Sequence, residues 1–447
     1  MGANGSARRA HDAGCLGPGG EPVNTVSKAS RLLGAVGTPL LYAVGAVVIG
    51  MALPRFEAAF LPDLTLQVGP GPAIAILSAI ASGMLPLTGL VFSLAFVMVQ
   101  FSATAYSPRL VAWLAGSATM SHSLGVFIAT FIYAVAALAW VDRGGTGKVP
   151  PLTVWFAIVL LLASVVFFVL LVKKVTMLQI SHVLAYAGDQ GRAVIERHYT
   201  ALGEGGPEKG RAADDELPAV SQVLVHRGGP AAIQTIDVPR LVALAEREGA
   251  VVAMAWAVGD TLVDGMPLLR VHGGARPVPE RQLRRPVVLG HERTFEQDPK
   301  YAIRILVDIA IKALSPAIND PTTAVQALDQ VEDLLLRLGR VNLSAGRVRD
   351  GRGSLRLVFP VPSWEDFLVL AFDEIRFYGA SSIQVMRRMR ALLQDLKEHV
   401  PPERRPALQR YLERVDNGIR RAFEDEDDRK DAFEVDRQGL GLSRERR

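Results

Sequence analysis

The sequence predicts a membrane protein in which a four-helix transmembrane bundle is followed by a cytoplasmic α+β domain, made of a small mostly-β module and then a helical layer. Two observations carry this prediction. Four long apolar stretches occupy the first 172 residues, and short β-type runs followed by amphipathic helical patterns occupy the chain beyond residue 219. Of the 447 residues, 49% are hydrophobic and 21% are charged, with the apolar excess in the first part.

The four apolar stretches cover residues 32–53, 73–101, 123–141 and 152–172. Each is close to or above the ~20 residues that a helix needs to cross the hydrocarbon core of a bilayer. None contains Asp, Glu, Lys or Arg, so each is predicted to be a transmembrane helix. Residues 1–31 lack hydrophobic periodicity and are predicted to be a disordered tail, with too long a charged region for a signal peptide.

The distribution of Lys and Arg in the short flanking segments predicts the orientation of the bundle. The side of the N-terminus has the larger group, which consists of Arg8, Arg9, Lys28, Arg31, Arg109, Lys173 and Lys174. The opposite side has Arg55, Arg143 and Lys148. Both termini are therefore predicted to be cytoplasmic, and the Arg, Ala and Gly bias is typical of a bacterial protein. We expect a multi-pass inner-membrane protein that contacts the lipid bilayer.

The second apolar stretch, "AIAILSAIASGMLPLTGLVFSLAFVMVQF", is longer than a simple span and has a proline near its middle. Small residues at four-residue spacing let a second backbone approach closely. The candidate packing or pore-lining residues are Ala75, Ser78, Ala79, Ser82, Gly83 and Pro86. One interpretation is a pore-lining or oligomer-forming helix that is kinked at the proline. The alternative is an ordinary bundle helix that needs small residues to pack.

The remaining chain divides by pattern into four parts. Residues 173–219 continue the helical pattern and end in the linker "GEGGPEKGRAADDELP", which predicts a helical stalk and linker. Residues 220–290 are predicted to form the mostly-β module, because Gly-Asp and Asp-Gly turn signals separate short apolar runs. Residues 291–425 have helical periodicity and predict a helical cytoplasmic domain, and residues 426–447 predict a disordered, mixed-charge tail.

The polar segment "GHERTFEQD" supplies three candidate site residues, Glu292, Arg293 and Asp298. One interpretation is a ligand site in which Glu292 or Asp298 acts as a general base or binds a hard cation. The other is a salt-bridged helix start, with Asp298 as the N-cap before Pro299. His291 has no second His or Cys at zinc spacing, so no zinc site is predicted.

The segment "SPAINDPTTA" combines two helix-boundary signals. Ser315 before a proline predicts a helix end, and Asp320 before a proline predicts a helix start with free N–H groups suited to an anion. These signals leave Asn319 unexplained. Ser315, Asn319 and Asp320 are therefore candidates for a ligand or interface site.

Three further candidates lie elsewhere in the chain. Arg376 and Tyr378 in "DEIRFYGASS" join the ligand or interface candidates if they face the same helical layer. Arg109 in "YSPRL" lies between the second and third spans, where it would couple the bundle to the cytoplasmic domain or bind lipid phosphate. The alternative for Arg109 is an ordinary positive-inside residue.

Several functional classes lack support in the sequence. The hydrolase, nucleotide-binding and metalloprotease signatures G-x-S-x-G, Gly-Lys-Ser, G-x-G-x-x-G after a strand and H-E-x-x-H are all absent. No Lys and Arg run with interleaved aromatics predicts a nucleic-acid partner. The single cysteine, Cys15, excludes a disulfide within one chain. No catalytic residue and no cofactor are predicted.

Four motifs in order carry a family resemblance. They are "SGMLPLTGLVFSLAFVMVQFSATAYSPRL", "GDTLVDGMPLLRV", "GHERTFEQDPKYAIRILVDIAIKALSPAINDPTTAVQALDQV" and "AFDEIRFYGASSIQV". Together they resemble the bacterial predicted-membrane-protein family known as domain of unknown function 2254, from about residue 30 to about residue 425. One departure is Thr322, where the family more often has an aromatic residue. The resemblance implies topology and architecture, and no established activity.

Three functional hypotheses follow from these patterns. The first is a homo-oligomeric pore or channel-like transport protein for an unspecified small solute, with a cytoplasmic regulatory domain. The second is a membrane-anchored ligand-binding or scaffolding protein without transport. The third is an enzyme that uses Glu292 or Asp298.

Overall fold

The computed structural model describes residues 26–61, 69–105, 118–141, 149–176, 180–199, 216–343 and 346–442. Four of its helices are long and apolar enough to cross a membrane, as the sequence predicts. They are α1 (Val26–Phe60), α2 (Pro70–Ala105), α3 (Ala118–Leu138) and α4 (Pro151–Thr176). Three of the four extend beyond both ends of the predicted stretch, whereas α3 begins earlier and ends at Leu138.

Helix α3 lies at the centre of the bundle, and α1, α2 and α4 pack around it. The side chains of Phe127, Tyr133, Ala134 and Ala137 on α3 are fully buried. Polar residues are also satisfied there, since the Thr130 hydroxyl lies 2.9 Å from that of Ser164 on α4 and 2.8 Å from the Val126 carbonyl. The axis of the protomer is therefore filled by packed side chains.

A buried carboxylate joins the ends of α1 and α4. Glu57 on α1 is 2% exposed and accepts hydrogen bonds from the backbone N–H groups of Leu152 at 2.8 Å and Thr153 at 3.2 Å, and from the Thr153 hydroxyl at 3.0 Å. The first N–H groups of a helix have no partner within the helix, so this carboxylate caps α4 from another helix. The first apolar stretch was predicted to end at residue 53, and the sequence pattern therefore missed this buried charge.

The β module contains two sheets, with strand orders β1-β5-β3-β8-β7 and β4-β2-β6. Their core includes Ile233, Leu241, Leu268 and Leu283, all fully buried. The strands are β1 (Val220–Val225), β2 (Ala231–Ile236), β3 (Ala250–Met254), β4 (Thr261–Leu262), β5 (Pro267–Gly273), β6 (Val287–Gly290), β7 (Arg347–Arg349) and β8 (Leu355–Val358). Two short helices accompany them, α6 (Val238–Arg247) and α7 (Glu280–Arg284).

Two of these strands come from the region predicted to be helical. Strand β8 pairs in parallel with β3, with Val252 opposite Leu357, and β7 forms the edge beyond β8. The prediction of a helical domain over residues 291–425 did not include these strands. Runs of three and four residues are too short for a periodic pattern to reveal them, and the side chain of Leu357 is buried only because the sheet lies next to it.

The helical layer surrounds a second, larger core, which includes Leu306, Leu328, Phe367 and Leu392. Its helices are α5 (Ile180–His198), α8 (Pro299–Ala313), α9 (Pro321–Leu338), α10 (Trp364–Tyr378), α11 (Ile383–His399), α12 (Arg405–Ala422) and α13 (Glu426–Phe433). A short 3₁₀ turn, Pro402–Arg404, precedes α12. A capping box of Ser363 and Asp366 is present at the start of α10.

Helix α5, predicted as a stalk, is part of this layer. A Cβ placed on Gly191 would lie 2.8 Å from Leu334 and 2.9 Å from the Cβ of Ala302, so α5 lies very close to α8 and α9. Arg192 on α5 forms a 2.7 Å ion pair with Asp333 on α9. The glycine permits the approach and the ion pair fixes the position of α5 along its neighbours.

Residues 426–442 differ from the predicted disordered tail. Ala432 is fully buried, and the ring of Phe433 lies 4.9 Å from the Arg390 guanidinium. Arg387 on α11 forms a 3.1 Å ion pair with Glu434. The mixture of acidic and basic residues indicated a solvated tail, but acidic residues of this segment instead pair with arginine on the helical layer. Residues 443–447 lie outside the described part of the chain.

We predict that Glu57→Ala lowers the thermal unfolding midpoint of the detergent-solubilised protein by several degrees. The substitution leaves two helix N–H groups without a partner, that of Thr153 buried and that of Leu152 part-buried, at a cost on the order of 2 kcal/mol. Glu292→Ala, which removes an exposed carboxylate, is the matched control and leaves the midpoint unchanged. Equal midpoints for the two variants would show that the cap is not required.

Candidate functional site

The small-residue face of α2 points away from the bundle. Leu77, Ile80 and Met84 are buried against the core, whereas the six candidates lie on the exposed side of the helix. These six are Ala75, Ser78, Ala79, Ser82, Gly83 and Pro86. A Cβ on Gly83 would have no atom within 4 Å. Packing within the protomer therefore does not account for the small residues, and we call this set the α2 outer face.

The candidate Arg109 lies outside the described residues. Its predicted coupling role stays a prediction.

The "SPAIND" turn lies between α8 and α9 and is shaped by backbone geometry. Asp320 caps α9, accepting hydrogen bonds from the Thr323 N–H at 3.1 Å and the Thr323 hydroxyl at 2.5 Å. The Ser315 hydroxyl donates to the Lys312 carbonyl at 2.7 Å, which closes the last turn of α8. Both residues therefore act at helix ends.

Asn319 has a backbone φ of +48°, and among the described residues it is the one non-glycine with positive φ. Its N–H donates to the Ser315 carbonyl at 2.9 Å. Asparagine tolerates the left-handed region better than most residues, because its short polar side chain can hydrogen-bond locally. The turn thus explains why asparagine occupies this position without requiring a ligand.

The "GHERTFEQD" segment joins the β module to the helical layer. The side-chain amide of Gln297 accepts a hydrogen bond from the Ile236 N–H at 2.8 Å and donates to its carbonyl at 3.1 Å. Lys300 at the start of α8 forms a 3.1 Å ion pair with Asp260 in the β module. The segment is therefore a structural junction between two cores.

Asp298 is the buried centre of this junction. It is 2% exposed and pairs with Arg293 through contacts of 2.6 and 2.8 Å. Burial raises the pKa of this carboxyl, and the nearby Arg293 and Lys300 oppose that rise. Asp298 occupies the predicted N-cap position of α8, but its carboxylate makes no capping hydrogen bond and turns to Arg293 instead.

The two carboxylates proposed for catalysis are in different environments. The Glu292 side chain is exposed, and its backbone carbonyl accepts from Gln234 at 2.8 Å. Asp298 is enclosed with Arg293. This geometry favours the structural interpretation of the segment over a general base. Within the described residues, no group of three or more His, Cys, Asp or Glu side chains is placed to hold a metal ion.

Arg376 lies in a cleft between α10 and α12, which we call the arginine cleft. The cleft has a volume of about 420 Å³ and is lined by Arg376, Arg414, Asn417, Arg420 and Arg421. Burial, and then the charges of Arg414 and Arg421, lower the pKa of Arg376, although Asp373 opposes this.

Tyr378 is not among the residues that line the cleft. Its ring is 53% exposed and packs edge-on against Phe377, at 5.3 Å between centroids. The pair Arg376 and Tyr378 is therefore not brought together at one site.

The sequence did not identify the α12 residues of the cleft. Arg414, Asn417 and Arg421 follow the i, i+3, i+7 spacing of one helical face, and that signal was available. Their relation to Arg376 depends on how α10 packs against α12, which no local pattern reveals.

We predict that Gly259→Ala destabilises the protein by about 3 kcal/mol, the typical cost of disrupting a buried ion pair. Gly259 has φ +89°, and a Cβ there would lie 2.1 Å from the Asp298 carboxylate. Gly265→Ala is the matched control, because Gly265 has φ +82° and open space around it. Chemical denaturation of both variants separates the clash from the backbone strain. Equal losses of unfolding free energy in Gly259→Ala and Gly265→Ala would mean that the contact with Asp298 is unimportant.

For Asn319, we expect Asn319→Gly to leave stability unchanged and Asn319→Ala to cost about 1 kcal/mol, because the left-handed backbone penalises a Cβ. The measurement is the unfolding midpoint of each variant. If the glycine variant were as unstable as the alanine variant, the asparagine side chain itself would be required.

Comparison with known sequences supports the architecture. A family model described as a predicted membrane protein (DUF2254) matches residues 36–395. Uncharacterized proteins of Mycobacterium bovis and Mycobacterium tuberculosis are each 28% identical over 388 residues, covering 84% of this chain and 74% of theirs. No solved structure matches the chain. With four apolar helices followed by a mixed α/β and helical region, and a family match over most of its length, the chain belongs to the DUF2254 family of predicted membrane proteins.

Proposed function

We propose that this protein is the subunit of a homo-oligomeric pore or channel-like transport protein of the bacterial inner membrane, with its α+β domain as the cytoplasmic regulatory part. The observation that carries the proposal is the α2 outer face, where five small or hydroxyl-bearing residues and Pro86 lie exposed on the side opposite the bundle core. Small residues let transmembrane helices approach closely, and neither lipid exposure nor packing within the protomer requires them.

A solute path would lie between protomers in this proposal. The axis of the single bundle is filled by Phe127, Tyr133 and other buried side chains of α3. The α2 outer face remains available to other copies, and symmetric association of identical surfaces is the commonest form of oligomer.

The chemistry of the face constrains the solute. Its polar groups are the hydroxyls of Ser78 and Ser82, and the Ser82 hydroxyl lies 3.2 Å from the Ala79 carbonyl. It has no ionisable side chain. A pathway of this kind suits a neutral solute or weakly selective ion passage, and it has no groups for proton coupling.

The alternative function, a membrane-anchored ligand-binding or scaffolding protein without transport, is favoured by a different observation. A bundle whose axis is filled by side chains suits a membrane anchor. The arginine cleft gives the cytoplasmic part a surface where a ligand could bind. The two functions differ in whether α2 lines a path for solute.

Cysteine cross-linking tests the contact between protomers. In a Cys15→Ser background, Ser82→Cys is expected to form a covalent dimer on mild oxidation in native membranes, because the α2 outer faces meet. Val165→Cys on α4, which is 51% exposed, is the matched control and stays monomeric. Equal cross-linking at both positions, or none at Ser82→Cys, contradicts the proposed interface.

Flux measurements test the pore. Purified protein in liposomes is expected to pass small solutes or ions under voltage, membrane tension or osmotic shock. Gly83→Leu is expected to change that flux several-fold, because the leucine side chain would fill the space where α2 helices of neighbouring protomers approach each other. Gly45→Leu on α1, also in open space, is the control and keeps the wild-type flux. Absence of flux under all three conditions would leave the anchored alternative.

A further inference from the structure

We propose that the arginine cleft binds a phosphate-bearing ligand. This inference is independent of transport, because it concerns the helical layer alone. The cleft presents four guanidinium groups on two helices, with Arg376 on α10 and the other three on α12. Arginine recognises phosphate with paired, parallel N–H donors, which makes such a grouping a specific receptor for a multiply charged oxyanion.

The guanidinium groups in the cleft have little compensation from carboxylates. Among the described residues, no carboxylate lies within 4 Å of Arg376, Arg420 or Arg421, whereas Arg414 pairs with Asp373 at 2.9 Å. Hydrogen bonds to Asn417 hold two of these guanidinium groups in place. The Arg421 side chain donates to the Asn417 carbonyl at 3.2 Å, and that of Arg420 donates to the Asn417 side-chain oxygen at 2.9 Å.

Other arginines of the same layer show the contrast. Arg388 on α11 pairs with Asp329 and Glu332, and Arg192 on α5 pairs with Asp189 and Asp333. These two structural arginines therefore receive two carboxylates each. The arginine cleft departs from that pattern, and an external anion would supply the missing negative charge.

One donor in the cleft has no partner. The Nε of Arg376 is buried and makes no hydrogen bond to any described residue. A buried donor without a partner is costly. Because this nitrogen is closed off from solvent, a bound oxyanion satisfies it only when the Arg376 side chain turns toward the cleft. The volume of about 420 Å³ is within the range of small-ligand sites and exceeds the space that a single inorganic phosphate fills. The cleft therefore has room for a ligand with more than one phosphate, or for a phosphate on a larger group.

The phosphate could be on a soluble metabolite or on a lipid headgroup, and the experiment separates these sources. The probe for the first is inorganic pyrophosphate, titrated by calorimetry into the full chain in nanodiscs of neutral lipid. The probe for the second is glycerol phosphate under the same conditions. We expect at least one probe to bind with a dissociation constant below about 1 mM, which corresponds to about −4 kcal/mol.

Paired variants test the site. Arg376→Gln with Arg421→Gln is expected to weaken binding at least tenfold, and to leave the unfolding midpoint of the ligand-free protein unchanged or raised, because like charges are removed. Arg410→Gln is the matched control. It removes one positive charge from α12, as Arg421→Gln does, at a residue whose side chain is 63% exposed and which lies outside the cleft. Binding stays within twofold of wild type.

Three results would overturn the inference. They are the absence of binding by both probes, equal weakening by Arg410→Gln, and undiminished binding by the double variant. Preference for pyrophosphate would identify a soluble ligand, and preference for glycerol phosphate would identify a lipid headgroup. Because the readout is binding and not flux, failure here leaves the pore proposal intact, and failure of the pore leaves the cleft intact.

Discussion

The packing of α1, α2 and α4 around α3 is the constraint on which the membrane domain depends. Tyr133 and Phe127 fill the axis of the protomer, and the Tyr133 hydroxyl donates to the Thr153 carbonyl at 3.0 Å near the Glu57 cap. One central helix therefore holds the other three in place. Since packed side chains fill the interior, any further role of the membrane helices depends on their outer surfaces. Packing within the protomer does not explain the small residues of the α2 outer face.

The part of the chain that follows the transmembrane helices has its own central interaction, the buried ion pair of Arg293 and Asp298. It lies where the turn containing Gly259 and Asp260 meets the start of α8, so it links the β module to the helical layer. The polar residues that looked like a catalytic cluster are mainly used to join two cores. A regulatory signal that passed between the two parts would cross this junction.

Sequence patterns predicted the parts of the fold that depend on long periodicity, and failed where the fold depends on tertiary contact. The four apolar helices were identifiable because each has about twenty residues without charge. Strand β8 and the tail after residue 426 were not, since Leu357 and Phe433 find their partners only through packing. The same limit applies to the sites. Arg376 was identified as a candidate, but its neighbours on α12 come together only when two distant helices pack.

The most direct measurement of the central claim is the mass of the purified, detergent-solubilised protein by native mass spectrometry. If the α2 outer face joins protomers, the mass is two or more whole multiples of the 48.2 kDa chain. A single species of 48.2 kDa under conditions that preserve folding would contradict an assembly through α2, and with it a solute path between protomers.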